Sequence, residues 1–160
     1  MKKQILLSVI LLLLGFTFNK VAAQGDLAEA KKAIAASNSI YFQSYLKNAS
    51  SIFINRYAED CRIMLPNAPA MKGHKGALDF FKMTCDKPGG LHNGKFITTD
   101  VYGLGNGYVT EEGTWQSFDK NNKMTDNGKY LVLWKKTAKG WKMFRDSFSS
   151  DNKQAAPGKL

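Results

Sequence analysis

The pattern of apolar and polar residues changes along the chain from helical spacing to strict alternation. From Asp26 to Lys47, apolar residues recur at intervals of three, four and seven, which predicts one amphipathic helix with Asp26 as its cap. A second, short helix that carries Phe53, Ile54 and Tyr57 is predicted with Ser50 or Ser51 as its cap, and a third runs from His74 to about Cys85. The buried face of the first helix is predicted to comprise Leu27, Ala30, Ile34, Tyr41 and Tyr45.

The second half of the chain has the alternation that is typical of half-buried strands, with glycine-rich turns between the runs. An earlier strand is predicted from Asp60 to Leu65, ended by Pro66. Helices with one strand among them, followed by antiparallel strands, predict an α+β fold. In that fold a curved antiparallel sheet wraps around the helices and leaves a cone-shaped space. The four later strands are predicted at Lys95–Tyr102, Tyr108–Phe118, Lys129–Thr137 and Trp141–Phe148.

The first 24 residues have the pattern of a secretory signal peptide. Lys2 and Lys3 precede an apolar run that ends at Leu14, and small residues follow before Gln24. The run is shorter than the roughly 20 residues that span a bilayer, and no cysteine follows it to carry a lipid. We predict cleavage after Ala23 or Gln24, giving a periplasmic or secreted protein without a membrane anchor. Residues 25–150 would form one domain, and residues 151–160 a flexible tail.

Charge and composition exclude several classes of partner and site. The chain has 23 Lys and Arg against 13 Asp and Glu, a formal net charge of +10, but the basic residues are scattered. A nucleic-acid partner is therefore not expected, because such proteins gather their basic residues on one patch. With only His74 and His92, far apart, neither a metal site nor a cofactor is predicted. Cys61 and Cys85 either form a disulfide in an oxidising compartment or remain two thiols.

Two segments of the sequence have distinctive residues in a distinctive order. The first reads YAEDCRIMLP from Tyr57 to Pro66, and Gly73 and a helix with Phe80 and Phe81 follow it. The second reads GKYLVLWKK from Gly128, followed by GWK from Gly140 and DSFSS from Asp146. Together the two segments resemble the SnoaL-like and ketosteroid-isomerase-like members of the nuclear transport factor 2-like superfamily, and the resemblance extends from about Asp26 to Asp151. It implies a cone-shaped fold with an apolar pocket, commonly assembled as homodimers through the sheet.

The resemblance also suggests roles for individual residues. Ketosteroid isomerases pair a carboxylate base with two hydrogen-bond donors. The donors correspond to Tyr41 and, near the second position, Tyr130, but Leu65 stands where the family has its base and cannot abstract a proton. The late-strand acid of SnoaL-like cyclases corresponds to Asp146. That residue either acts as acid and base or fixes the fold by accepting hydrogen bonds from the N-terminal helices or from Arg62.

Three functions follow as hypotheses. In the first, the exported domain binds a small apolar organic molecule in its pocket. In the second, it is an acid/base enzyme of isomerase, cyclase or dehydratase type, with Asp146 assisted by Tyr41 or Tyr130. In the third, it is a dimeric interaction module that uses the open sheet face. Glu111 and Glu112 point to opposite faces and are both expected to be exposed. The predicted pocket residues are Tyr41, Tyr45, Tyr57, Cys61, Ile63, Phe81 and Trp134.

Overall fold

The computed structural model describes residues 26–85, 91 and 93–152. The predicted signal peptide, His92 and all but the first two residues of the predicted tail lie outside these ranges, so export and cleavage stay predictions. Within the described residues, no helix is both long and apolar enough to cross a membrane.

Three helices confirm the periodicity of the first half of the chain. Helix α1 covers residues 26–46, α2 is Ser50–Ile54 and α3 is Gly73–Cys85. The predicted face of α1 is buried except for Leu27, which is partly exposed. The predicted serine cap of α2 is wrong: the preceding residue is Ala49, and no side chain caps the helix. So short a helix is held instead by Phe53, whose side chain is fully buried.

In the described part of the chain, six strands form one mixed sheet. In chain order they are β1 Tyr57–Met64, β2 Met71–Lys72, β3 Asn93–Gly105, β4 Tyr108–Phe118, β5 Met124–Thr137 and β6 Gly140–Ser150. Their order across the sheet is β2-β1-β6-β5-β4-β3. All neighbours are antiparallel except β1 and β6, which are parallel. The α+β architecture, with helices packed against a curved sheet, is therefore confirmed, although α3 follows β1 and β2 in the chain and the sheet contains one parallel pair.

The observed strands β3 and β6 are longer at both ends than predicted, and three larger differences concern β1, β5 and β2. Strand β1 begins at Tyr57, so this residue belongs to the sheet and not to α2. Strand β5 begins at Met124 and not at Lys129, because its polar first residues pair with Trp115–Phe118 in a long hairpin. The two-residue strand β2 was not predicted. It consists only of the pairing of Met71 and Lys72 with β1, and so short a strand has no alternation to detect.

The helices cover the concave face of the sheet with aromatic packing. The Phe53 ring lies with its centroid 5.2–5.9 Å from five other aromatic rings. These five rings belong to Tyr41, Tyr45, Tyr57, Phe80 and Phe81. They connect α1, α3 and β1, so this cluster fixes the helices against one side of the sheet. On the opposite face of the sheet, Ile97, Tyr102 and Leu131 are exposed, and the homodimer through that face stays a prediction.

Candidate functional site

Two acidic side chains lie on the concave face of the sheet in one row across three strands. Glu111 on β4 pairs with Val132 on β5, and Val132 pairs in turn with Asp146 on β6. Directly paired residues place their side chains on the same face, so the two carboxylates flank Val132 beneath the helices. Glu111 is 1% exposed and Asp146 is 8% exposed.

The Glu111 carboxylate is held by four hydrogen bonds. Its Oε1 accepts from Asn38 Nδ2 (2.7 Å), Thr98 Oγ1 (2.8 Å) and the Tyr130 hydroxyl (2.8 Å). Its Oε2 accepts from Trp134 Nε1 (3.0 Å). The donors come from α1, β3 and β5, so one side chain connects the first helix to three strands of the sheet. A buried carboxylate needs such donors, because an unsatisfied buried charge costs several kcal/mol.

Gly113 gives the Tyr130 ring the room it needs to reach Glu111. Gly113 is paired with Tyr130 and lies two residues after Glu111 on the same face of β4. A Cβ atom on Gly113 would lie 2.7 Å from the Tyr130 hydroxyl oxygen and 2.3 Å from the Ile97 carbonyl oxygen. A side chain at this position would therefore force the phenol away from the carboxylate.

A buried arginine supplies a countercharge to Glu111 through Asn38. Arg56, which is 3% exposed, donates from Nη2 to Asn38 Oδ1 (3.3 Å), and Asn38 donates in turn to Glu111. The Arg56 Nε donates to the Ser37 carbonyl and hydroxyl oxygens, and the guanidinium lies 4.4 Å from the centroid of the Tyr41 ring. The Asn38 side-chain amide thus connects the Arg56 guanidinium with the Glu111 carboxylate, which do not contact each other directly.

Asp146 has a poorer environment. Its Oδ2 accepts a hydrogen bond from the Tyr57 hydroxyl (2.7 Å), and its Oδ1 has no hydrogen-bond partner among the described residues. Burial raises the pKa of Asp146 from its ordinary 3.8 to about 6, against the smaller lowering effects of the Tyr57 hydrogen bond and the Arg56 charge. This carboxyl therefore changes its protonation state close to neutral pH.

The two carboxylates face a cavity of about 420 Å³ between the helices and the sheet. Most of its lining is apolar and aromatic, and the exposed lining residues Pro66 and Thr125 place its opening between the end of β1 and the start of β5. No cluster of three or more His, Cys, Asp or Glu that could hold a metal occurs in the described part of the chain. The aromatic lining residues are Tyr41, Phe42, Phe80, Phe96, Trp115, Tyr130 and Phe148.

The structure brings together the three residues that the sequence proposes for catalysis. Tyr41, Tyr130 and Asp146 all line the cavity. Burial raises the pKa of Tyr41 to about 12, so its phenol is protonated at neutral pH and can donate. Burial also raises the pKa of Tyr130, so its hydroxyl keeps its proton and donates a hydrogen bond to Glu111.

The other predicted pocket residues are buried but are not among those that line this cavity. Tyr57 and Trp134 lie behind it as donors to Asp146 and Glu111. Tyr45 stacks on Phe81 and accepts a hydrogen bond from Thr84 (3.1 Å). Ile63 and Cys61 face the core from β1. Arg62 is exposed and does not bind Asp146.

The cysteine alternative is resolved for the described chain: Cys61 and Cys85 do not form a disulfide. Cys61 is buried on β1, and burial raises the pKa of its thiol to about 11. At that pKa little thiolate exists at neutral pH, so Cys61 is a poor nucleophile.

The expectation that Glu111 is exposed is wrong. Glu112 on the opposite face is partly exposed, as the alternation requires, but Glu111 is in phase with the buried residues Val109 and Gly113. This alternation, which places Glu111 on the same face as Val109, was the sequence signal that could have predicted its burial. A charged residue at a core position of a strand indicates either an edge or a satisfied polar site, and the donors that satisfy Glu111 come from other elements.

Comparison with solved structures shows the fold to which this arrangement belongs. A ketosteroid isomerase-like protein from Erwinia carotovora atroseptica superposes with a TM-score of 0.66 at 18% identity, covering 80% of this chain and 98% of its own. A hexachlorocyclohexane dehydrochlorinase from Novosphingobium barchaimii gives 0.64 at 15% identity, covering 85% and 96%. An NTF2-like superfamily protein from Salmonella enterica serovar Typhimurium gives 0.61 at 14% identity, covering 83% and 99%.

No family model and no curated protein matches the sequence. The resemblance inferred from the two segments is nevertheless confirmed at the level of the fold, which is that of the nuclear transport factor 2-like superfamily. Because this fold carries many unrelated activities, the function has to be argued from the residues of the cavity.

The environment of Asp146 predicts how stability depends on pH. The folded chain binds the Asp146 proton more tightly than the unfolded chain, so this residue favours the folded state most below pH 4 and loses that contribution as the pH rises through 6. In urea unfolding, the stability of the wild type relative to Asp146→Asn should increase by about 1 kcal/mol from pH 7 to pH 5. The asparagine keeps an acceptor for Tyr57 but does not titrate. An unchanged difference between the two proteins across this range would contradict the assigned environment.

Proposed function

We propose that this chain, which has the nuclear transport factor 2-like fold, is an exported domain that binds a small and mainly apolar organic molecule. The observation that carries the proposal is the cavity of about 420 Å³, with seven aromatic side chains in its lining. Cavities of this size and lining bury most of the surface of a small ligand, and a few polar groups then fix its orientation. Here those groups are Asp146, Glu111, Tyr41 and Asn38.

Export is supported by the sequence of the first 24 residues, where a positive start, a short apolar run and small residues follow in the order of a signal peptide. The mass of the chain recovered from an envelope fraction tests this part of the proposal. Loss of the first 23 or 24 residues is expected, and a full-length chain in the cytosolic fraction would contradict it.

Filling the cavity should abolish ligand binding. Val132 lies between the two carboxylates and lines the cavity, so the larger side chain in Val132→Phe extends into the space that a ligand would occupy. We expect at least a tenfold lower affinity for the neutral fluorescent dye N-phenylnaphthylamine, measured by fluorescence titration.

Leu131→Phe is the matched control, because Leu131 is the adjacent residue of β5 and its side chain is 48% exposed on the other face. This variant should bind the dye as the wild type does. Equal binding by Val132→Phe and the wild type would show that the dye does not use this cavity, and no binding by the wild type would contradict the proposed function.

A second candidate function is proton transfer next to a carbonyl group, favoured by the position of Asp146 in the same cavity as Tyr41. A carboxyl with a pKa of about 6 is half ionised at about pH 6 and mostly ionised at pH 7, so it is suited to act as a general base. Tyr41 can donate a hydrogen bond to the developing oxyanion. Tyr130 is less suited to this role, because its hydroxyl already donates a hydrogen bond to Glu111.

This candidate predicts hydrogen exchange at the carbon next to a carbonyl. With cyclohexanone in heavy water, the protein should catalyse deuterium incorporation, detected by mass spectrometry, at a rate that increases with pH through about 6. Asp146→Asn should reduce the rate at least a hundredfold, while Glu112→Gln on the outer face should not change it. Equal rates for Asp146→Asn and the wild type would remove Asp146 as the base.

A further inference from the structure

The charges that line the cavity have the opposite sign to the chain as a whole. The described lining residues include three acids, Glu111, Asp126 and Asp146, and no Lys, Arg or His, although basic residues outnumber acidic ones by 23 to 13 in the sequence. The interior of the cavity therefore offers acceptors and negative charge to a bound molecule.

The three acids differ in how far they are already satisfied. Glu111 accepts four hydrogen bonds and faces the Arg56 charge through Asn38. Asp126 near the opening accepts from Ser150 Oγ (2.7 Å) and from the backbone nitrogen of Asn127 (2.8 Å). Asp146 is more than nine-tenths buried and accepts one hydrogen bond from a neutral phenol.

Asp146 therefore has no countercharge in direct contact within the described chain, and burial raises its pKa by more than the more distant Arg56 charge lowers it. No Lys or Arg forms an ion pair with it in the described residues, and its Oδ1 atom has no hydrogen-bond partner there. A buried carboxylate in this condition has two ways to lower its free energy: it takes up a proton, or it pairs with a cation. The cavity next to it is large enough for a molecule that brings the cation.

The aromatic lining suits the same kind of molecule. Tyr41, Phe96 and Tyr130 lie close together in the lining, with ring centroids 4.9 Å apart for Tyr41 and Phe96 and 5.3 Å apart for Phe96 and Tyr130. Aromatic faces attract a desolvated cation, and their hydrocarbon area binds an apolar skeleton. A carboxylate ligand would instead meet like charges with no basic side chain in the described lining to receive it.

We propose that the ligand of this cavity is an apolar amine whose ammonium group pairs with the Asp146 carboxylate. This inference rests on the proposed function and deepens it by naming the ligand class. The ammonium donates a hydrogen bond to Asp146 Oδ1, which accepts none from the described residues. The apolar part of the ligand lies against the aromatic lining.

Three probes of one carbon skeleton test the inference: phenylbutylamine, phenylbutanol and phenylbutyrate. Each is titrated at pH 7.5 against the full mature chain with bound N-phenylnaphthylamine. The alcohol can also donate a hydrogen bond to the carboxylate, but only the ammonium adds the attraction between opposite charges, so the amine should displace the dye at about a tenfold lower concentration than the alcohol. The carboxylate should be the weakest of the three.

The same titrations with two variants locate the effect. Asp146→Asn should reduce the ratio of amine to alcohol affinity from about ten to about one, with cooperative urea unfolding as evidence that the variant is folded. Glu112→Gln removes one negative charge from the outer face and should leave the ratio unchanged. If Asp146→Asn does not fold, the ratio of amine to alcohol affinity measured on the wild type alone still tests the inference, because a ratio of about one contradicts it.

The outcomes separate this inference from the proposed function. Dye binding by the wild type, together with equal displacement by amine and alcohol or a stronger effect of the carboxylate, would overturn the amine inference and leave the apolar cavity in place. A ratio of ten that Asp146→Asn retains would also overturn it, because another group would then hold the ammonium. A wild type that binds neither dye nor probe would overturn both.

Discussion

A carboxylate buried between a helix and a sheet fixes the positions of the elements around the cavity. Glu111 lies on β4, and its two oxygens accept hydrogen bonds from Asn38 on α1, from Thr98 on β3 and from Tyr130 and Trp134 on β5. Ionised groups in an apolar interior are tolerated only with such partners, so the positions of these elements depend on one another. The position of Tyr130 also needs the absence of a side chain at Gly113. Helix α1 therefore cannot shift on the sheet without breaking a charge-assisted hydrogen bond.

The two buried acids on this face differ in environment, and the difference carries the functional argument. Glu111 has four donors and, through Asn38, a countercharge in Arg56. Asp146, two strands away in the same row, has one phenol and no ion pair among the described residues. The first acid is consistent with a structural role because its hydrogen-bonding capacity is used. The second accepts only one hydrogen bond from the described residues, lies in the cavity lining and has a pKa raised to about 6, and on these properties we propose it as the group that acts on a bound molecule.

The architecture could be predicted from the sequence wherever one residue pattern is repeated over several turns or alternations. Helix α1 has a continuous apolar face and β4 alternates over its whole length, so both were predicted almost to the residue. Strand β2 and the polar start of β5 are strands only because they pair with other strands, and no local alternation of apolar and polar residues predicts them. The candidate site was predicted in part: Tyr41, Tyr130 and Asp146 line the cavity, but Glu111 was expected in solvent. Its burial depends on donors up to 73 residues away in the sequence, and a single sequence does not display that spatial convergence.

The stability of Glu111→Gln against that of Glu112→Gln tests most directly whether the buried carboxylate organises the site. The amide has the same shape, but if its oxygen takes the place that receives three donors, its NH₂ group faces the Trp134 donor. We predict that Glu111→Gln lowers the free energy of unfolding in urea by about 2–4 kcal/mol and weakens dye binding, while Glu112→Gln stays within about 0.5 kcal/mol of the wild type. Equal stability and equal dye binding in the two variants would contradict the account.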